Sequence, residues 1–453
     1  MKTLEIALLA VTTFGPAVAL AAPTIKTVAL QNEQSPETSF FYKKFEKPAV
    51  SDAAGQRVAV FARLAGKKCI FSLDPDSNAD STVACRRDPT PDGHVFTKLG
   101  QKLGDESINT SSTTAFAARL SSGRGGVFRS GPAFVANIGD PVPAPGTGLL
   151  KAFSYARISD AGDVVFEATI SGGAVVLGTE VNAGLFRCTG GNGNCSAATG
   201  GTGTLSTLVL VNDAVPDRPG RKFCKLFALD GSTYGIAFRA ETQLDCASTI
   251  EVPLDGIFRR TVAGTLVTVA LEGEASNPFP SPGGTTYLRL DGPPTIANTG
   301  MVAFQGTTTG NLTNNVLYVC DPATCPLAPA DDAITQGNFD DDGNVFRTFS
   351  GPAVSDVGDI AFSGKAEGAL GALDGLWVRR RLTSDTETIA LPGDPVPGSN
   401  PAAVFYQLFA PSMSGGGKVA FGGRIARAVA PRKLRGVFIF ESPSGAFLDE
   451  EGL

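Results

Sequence analysis

The sequence predicts an all-β ring built from seven four-stranded antiparallel sheets. Three observations carry that prediction. A unit of four short strand signals recurs along the chain. The second strand of each unit sets large residues on one face against small ones on the other. The chain also opens with a copy of the fourth strand, which the final unit lacks.

The clearest unit begins at Phe346–Val354 and continues through Asp359–Gly364 (DIAFSG), Gly375–Arg379 (GLWVR) and Thr388–Leu391 (TIAL). Gly, Asp, Ser and Pro separate these runs, which is the punctuation of short strands. Side chains alternate faces along a strand, so Ile360 and Phe362 share one face and Ala361 lies on the other. The split recurs at Val164/Phe166, Ile236/Phe238, Val302/Phe304 and Val419/Phe421. A sheet that is apolar on both faces must stack, and a bulky face against a small one packs closely.

The second-strand phenylalanine recurs at Phe61, Phe116, Phe166, Phe238, Phe304, Phe362 and Phe421. A third strand follows each, among them Ile70-Phe71, Val127-Phe128, Leu376-Trp377 and Val437-Phe438. Fourth strands are read at Val83-Ala84, Val135-Ala136, Leu210-Val211, Thr268–Leu271 and Thr388–Leu391, with a weaker signal at Ala333-Ile334. The seventh unit has none. Thr27-Val28-Ala29-Leu30 near the start is identical to residues 268–271. The prediction is therefore a seven-bladed β-propeller in which the N-terminal strand, residues 25–30, completes the last blade, residues 404–440. A closed ring has no exposed sheet edges, whereas a linear solenoid would need capping repeats. At 453 residues the chain is too long for one simple core unless repeats build it. Residues 22–441 read as a single propeller domain and 442–453 as a tail.

The motif Ser-x-x-Gly-x-x-Ala-Phe, as in Ser355–Phe362 and Ser414–Phe421, resembles the TolB-type propeller repeat. It is also similar to a secreted bacterial tandem-repeat family of choice-of-anchor type, defined by Asn-x-x-Gly-x-x-x-Ala-Phe. Asn298-Thr299-Gly300 is the copy nearest to that pattern, and most others carry Ser for Asn. The resemblance implies an exported protein and no defined reaction. Family members often carry a C-terminal surface anchor, and Phe447–Leu453 shows no hydrophobic one.

Residues 1–21 read as a signal peptide: Lys2, an apolar run Ile6–Thr12, and an A-x-A site at Ala19-Leu20-Ala21. No window is long enough to span a bilayer as a helix. Eight cysteines fall as near neighbours, Cys69/Cys85, Cys188/Cys195, Cys224/Cys246 and Cys320/Cys325, and an even count in an exported chain favours disulfides. The expected location is secreted or periplasmic. A formal net charge of −6 speaks against non-specific nucleic-acid binding.

Candidate chemistry is sparse. The Gly-Asp-Pro-like turns between units carry Asp88, Asp140, Asp213, Glu274 and Asp394, which share one face of the ring. They read either as an acidic channel mouth for a hard cation or polyhydroxyl ligand, or as turn residues capping their own backbone. Two acidic runs, Asp74 to Asp80 and Asn338 to Asn344, space oxygens as calcium loops do but lack the bidentate Glu of an EF-hand. No cofactor is expected apart from Ca2+ at such sites. His94 is the only histidine, so multi-His metal centres are excluded and any His-dependent triad would have to use it. Trp377 takes the place of a core Phe. The loops Ser171–Gly184 and Glu241–Gly256 depart from the repeat and suit recognition. Arg424 to Arg435 gathers basic residues that could meet an anionic polymer or lipid head group. The expected function is a non-catalytic propeller binding a protein or polysaccharide. The alternatives are a glycan hydrolase or lyase using carboxylates at the channel mouth, and a structural cell-surface component.

Overall fold

The computed structural model describes residues 24–442, except 36, 39, 52–56, 78, 101–106, 132, 177–178, 191–192, 274–285, 310–314, 324–330, 337, 339, 369–370, 400–401 and 428–432. The proposed signal peptide, Glu274 and Cys325 lie outside the described residues. No helix among those described is long and apolar enough to cross a membrane.

Seven four-stranded antiparallel sheets form the ring, each a blade of a β-propeller. Blade 6 is typical: Val345–Val354, Ile360–Gly368, Gly371–Arg379 and Thr386–Ala390, paired in sequence order. In blade 7 the order changes. Its fourth place is taken by Thr24–Leu30, which pairs antiparallel with Lys433–Glu441, Thr27 opposite Phe438.

Seven buried clusters fill the seven spaces between blades, each joining the bulky face of one blade to the small face of the one before. Between blades 2 and 3, for example, Phe153, Val164 and Phe166 pack on Ala115, Ala117 and Val135. Between blades 7 and 1, Val28, Ala420 and Val437 pack on Tyr42, Val60 and Phe71. A fully buried Phe or Ile contributes about 1.5–3 kcal/mol, so no blade is stable without its neighbours. In six blades the second- and third-strand aromatics stack at 5.1–5.9 Å between ring centroids, from Phe116–Phe128 to Phe421–Phe438.

Blade 1 departs from the expected pattern. Phe61 lies opposite Ile70, and Val60 lies opposite Phe71. A shift of one residue turns every side chain to the other face. Phe61 therefore joins Phe96 and Phe116 in the space toward blade 2, and Phe71 alone supplies the aromatic that the other blades draw from two strands.

Three disulfides lie within single blades: Cys69–Cys85 joins two strands, while Cys188–Cys195 and Cys224–Cys246 each tie a strand to a loop, with Cα separations of 4.0, 5.8 and 5.0 Å. Cys69 and Cys85 face each other directly across the third and fourth strands of blade 1. Cys320 is also disulfide-bonded.

Candidate functional site: a polar bowl on the ring axis

The first strand of every blade borders the central channel. Where it turns into the second strand, the repeat motif closes the turn. The Ser159 hydroxyl accepts the N–H of Asp163 (3.2 Å), Ser355 that of Asp359 (3.0 Å) and Ser414 that of Lys418 (3.2 Å). In blade 2, Asn109 plays the same part for Thr113 (2.9 Å). The motif glycine takes a left-handed φ, 84° at Gly162 and 89° at Gly358, which a side chain would strain. The motif's polar residue and glycine thus serve the turn in these blades, although blade 5 makes it with Ala297 and blade 2 with Ser112 at a left-handed φ of 61°.

The residue after that Ser is not required by the turn, and here the blades differ: Thr110, Asp160, Thr233, Asn298, Asp356 and Gly415. These positions are tied to one another around the axis. Asp160 accepts the Thr110 N–H at 2.8 Å and the Asn298 side-chain amide at 2.9 Å. Asp356 accepts the Asn298 backbone N–H at 2.7 Å and the same side-chain amide at 3.5 Å. The Asn298 carbonyl oxygen accepts from the Thr233 N–H and hydroxyl, at 3.2 and 3.1 Å. The Asp356 N–H donates to Gly415 O at 2.9 Å. Nearby, Asp230 accepts the Ile296 N–H (3.0 Å) and pairs with Arg157 Nε at 3.3 Å.

These turns enclose a polar bowl of about 200 Å³, with contributions from all seven blades. Asp160, Asp230, Asp356 and Asn298 line it together with Arg157, Lys47 and several serine hydroxyls. The two contacts to the Asn298 amide, 2.9 and 3.5 Å, put the nearest oxygens of Asp160 and Asp356 no more than 6.4 Å apart.

The acidic residues expected to form a mouth lie at the opposite ends of the first strands. Asp140 precedes the strand Leu149–Ile158 and Asp160 follows it. Ten residues of strand separate the two by roughly 30 Å. At that far end Asp88, Asp140, Asp213 and Asp394 each accept the backbone N–H three residues earlier, from Cys85, Asn137, Leu210 and Leu391, at 2.6–2.8 Å. Asn338 does the same for Thr335. Asp140 is buried and also accepts the Ser196 hydroxyl at 3.1 Å. Two residues before Glu274, Glu272 accepts the N–H groups of Asp255 and Leu290. Burial pushes Asp213 and Glu272 above the usual carboxylate range, against the pull of those N–H groups.

The acidic runs are similarly committed. Asp74 accepts the N–H of Asp76 and Ser77, Asp76 pairs with Lys26, and Asp80 accepts the hydroxyls of Ser35 and Tyr42. Asp340, Asp341 and Asp342 bring oxygens within 4.8 Å of one another. Asp340 is nonetheless buried and bonded to Asn344 and Trp377 Nε1, and Asp341 caps Thr388. Trp377 is fully buried. His94 is part-exposed and sits 3.9 Å from Asp92. A larger groove, about 530 Å³, runs beside Thr24–Leu30, but its Asp80 and Glu33 are bonded within the fold.

Sequence reasoning missed Asp160, Asp230, Asn298 and Asp356. The available signal was a repeat position that varies among polar residues where the turn demands none of them.

Among solved structures, an oligogalacturonate lyase in complex with manganese is 11% identical, with 94% of this chain and 99% of that one covered and a TM-score of 0.46. An oligogalacturonate lyase from Vibrio parahaemolyticus is 10% identical over the same shares, with a TM-score of 0.48. A polysaccharide lyase is 9% identical over 86% of this chain and 89% of that one, with a TM-score of 0.42. Likeness at this level bears on neither reaction nor ligand. No curated protein matches the chain. The family of unknown function DUF7453 matches residues 71–446, and the chain belongs to that family.

Proposed function

We propose that this chain is an exported, non-catalytic propeller that holds one neutral sugar residue of a polysaccharide in the axial bowl. One observation carries the reading: the bowl's polar groups are held in fixed positions by bonds between blades. A volume of about 200 Å³ is smaller than the ~300–1,000 Å³ of pockets for drug-sized ligands, and it suits a single ring. Carboxylates and hydroxyls together offer the acceptors and donors that a polyhydroxyl group needs. The three carboxylates outnumber the two cations, Arg157 and Lys47, which disfavours an anionic occupant. Preorganised contacts lower the cost of binding. Disulfides in the blades support export, and the turn motif supports kinship with the secreted tandem-repeat family.

The second reading is glycoside chemistry, favoured by the spacing of Asp160 and Asp356. Retaining glycosidases hold two carboxyl groups about 5–5.5 Å apart, within the bound set by Asn298. Against it, the oxygens of both residues already accept N–H bonds that tie neighbouring and facing blades together, which gives the pair a structural task.

Calorimetric titration with neutral oligosaccharides separates the two. The expected result is saturable binding with unchanged sugar, lost in Asp356→Ala. Absence of heat with every sugar overturns the proposal. So does release of new reducing ends or unsaturated products that disappears in Asp160→Asn.

A further inference from the structure

The face opposite the bowl carries an unusual arrangement of charge. Each first strand begins with a bulge, where one residue of the strand has no partner opposite it. The buried aromatic or leucine before the bulge points into the space between blades. The residues at and just after the bulge are left toward solvent, and in six blades at least one is cationic.

The blades then differ in what lies opposite. In blade 4, Lys225 faces Glu241 and the pair closes to 3.3 Å. Arg289 in blade 5 meets Asp291, and Arg347 in blade 6 meets Glu367, both at 2.7 Å. In blade 1, however, Lys44 faces Arg63, and in blade 2, Lys98 faces Arg119. Like charges directly opposite on a sheet are destabilising. The same register takes an opposite charge in blade 4, so the repeat does not compel the choice.

The cations crowd together. Lys68, on the third strand of blade 1, is held below the usual lysine range by burial together with the charges of Arg63, Arg86 and Lys98. In neighbouring blade 7, burial and the charge of Arg424 hold Arg435 low. Among the described residues Glu46 offsets part of this charge, and the other nearby acids are turned away from it. Glu46 pairs with Lys44 at 3.0 Å, and Glu33 and Asp88 are turned onto the N–H groups of Leu30 and Cys85. A positive sector across blades 7, 1 and 2 thus sits on a chain of net charge −6.

We propose that this sector is a second ligand site, which binds a carboxylated polysaccharide. A linear polyanion laid across adjacent blades meets cations at the spacing of the blades, and its charges relieve the Lys44/Arg63 and Lys98/Arg119 repulsions. Exposed rings at the same end, Phe40, Phe41 and Tyr406, give sugar faces an apolar surface. Tyr406 lies beneath Lys433, whose Nζ is 4.4 Å from the ring centre. A polymer of sugars uses such rings, which an inorganic anion does not need.

The test is retention on immobilised alginate, with dextran and phosphatidylserine vesicles as parallel arms. The expected result is retention on alginate only, falling as salt screens the charges. The double variant Arg63→Ala/Arg119→Ala should lose at least tenfold in affinity. Lys151→Ala and the bowl variant Asp356→Ala should bind alginate as the parent does. Folding of the double variant is checked by its melting temperature, which should hold or rise as like charges are removed. A second variant, Arg119→Glu, should gain a partner for Lys98 while losing alginate. Undiminished binding in both variants overturns the proposal. Equal retention on dextran, or vesicle binding without alginate binding, overturns it too. Loss of alginate binding in Asp356→Ala would merge the two sites and also overturn it, whereas failure of the bowl to take neutral sugar leaves this result standing.

Discussion

The side-chain amide of Asn298 in blade 5 donates to Asp160 in blade 3, 138 residues earlier, at 2.9 Å. The two blades are not neighbours, so the bond runs over the axis rather than between adjacent turns. The second amide hydrogen points to Asp356 of blade 6. One side chain therefore stands between two carboxylates and gives each a donor.

Replacing Asn298 with Leu should leave those carboxylates facing each other without that donor. An unmade bond to a buried or half-buried polar group costs about 1–3 kcal/mol. Thermal unfolding of Asn298→Leu should show a loss of that size. A variant as stable as the parent would mean that the amide adds nothing to the ring.

Asp213 predicts a pH dependence of its own. Burial raises its carboxyl, so the native state keeps the proton to a higher pH than the unfolded chain does. Its contribution to stability is full below the unfolded carboxylate value of about 3.9. It declines as pH climbs through the higher native value. Asp213→Asn removes that decline. The amide oxygen can still accept the Leu210 N–H, as Asn338 accepts that of Thr335. Denaturant melts should show the variant gaining on the parent from pH 4 to pH 7.

The Cys69–Cys85 clip closes a loop of 16 residues. On the chain-entropy model such a bridge is worth about 3 kcal/mol. The pair Cys69→Ala/Cys85→Ala should lose stability of that order. Reductant should lower the melting temperature of the parent more than that of the variant.

Trp377 packs on Phe362 and Phe346, at 5.9 and 5.0 Å between ring centres, and its indole N–H donates to Asp340. Trp377→Ala should cost about 3–5 kcal/mol. Trp377→Phe, the residue that blades 2, 3, 4 and 7 carry there, should cost well under half of that. Equal losses would place the stabilisation in the hydrogen bond to Asp340 rather than in the ring.

The blade pattern was legible because stacking sheets impose it on every unit: Ile360 and Phe362 opposite Ala361 recur wherever a sheet has two buried faces. Phe61 misled for a local reason. An aromatic one residue out of phase looks the same in sequence but packs on the other neighbour. The acidic turns drew attention because they repeat, yet among the described residues they repeat because the turns of six blades cap the same N–H. Asp160, Asn298 and Asp356 were hidden because adjacent positions in the bowl come from different blades. No spacing along the chain records a closeness that only the ring creates. The positive sector was partly visible: Arg424 to Arg435 stood out as a run, whereas Lys44/Arg63 and Lys98/Arg119 needed the strand register.

The pairing of Thr24–Leu30 with Lys433–Glu441 has a consequence for biogenesis. Thr24–Leu30 is made about 400 residues before Lys433–Glu441 and must wait for it before it has a partner. Six blades can assemble as they appear, while this segment stays an unpaired ribbon with free backbone donors. Any partner that shields it meanwhile, a chaperone or a periplasmic holdase, would act on residues 24–30. A chain halted before Lys433 would leave that ribbon permanently available to a neighbouring molecule.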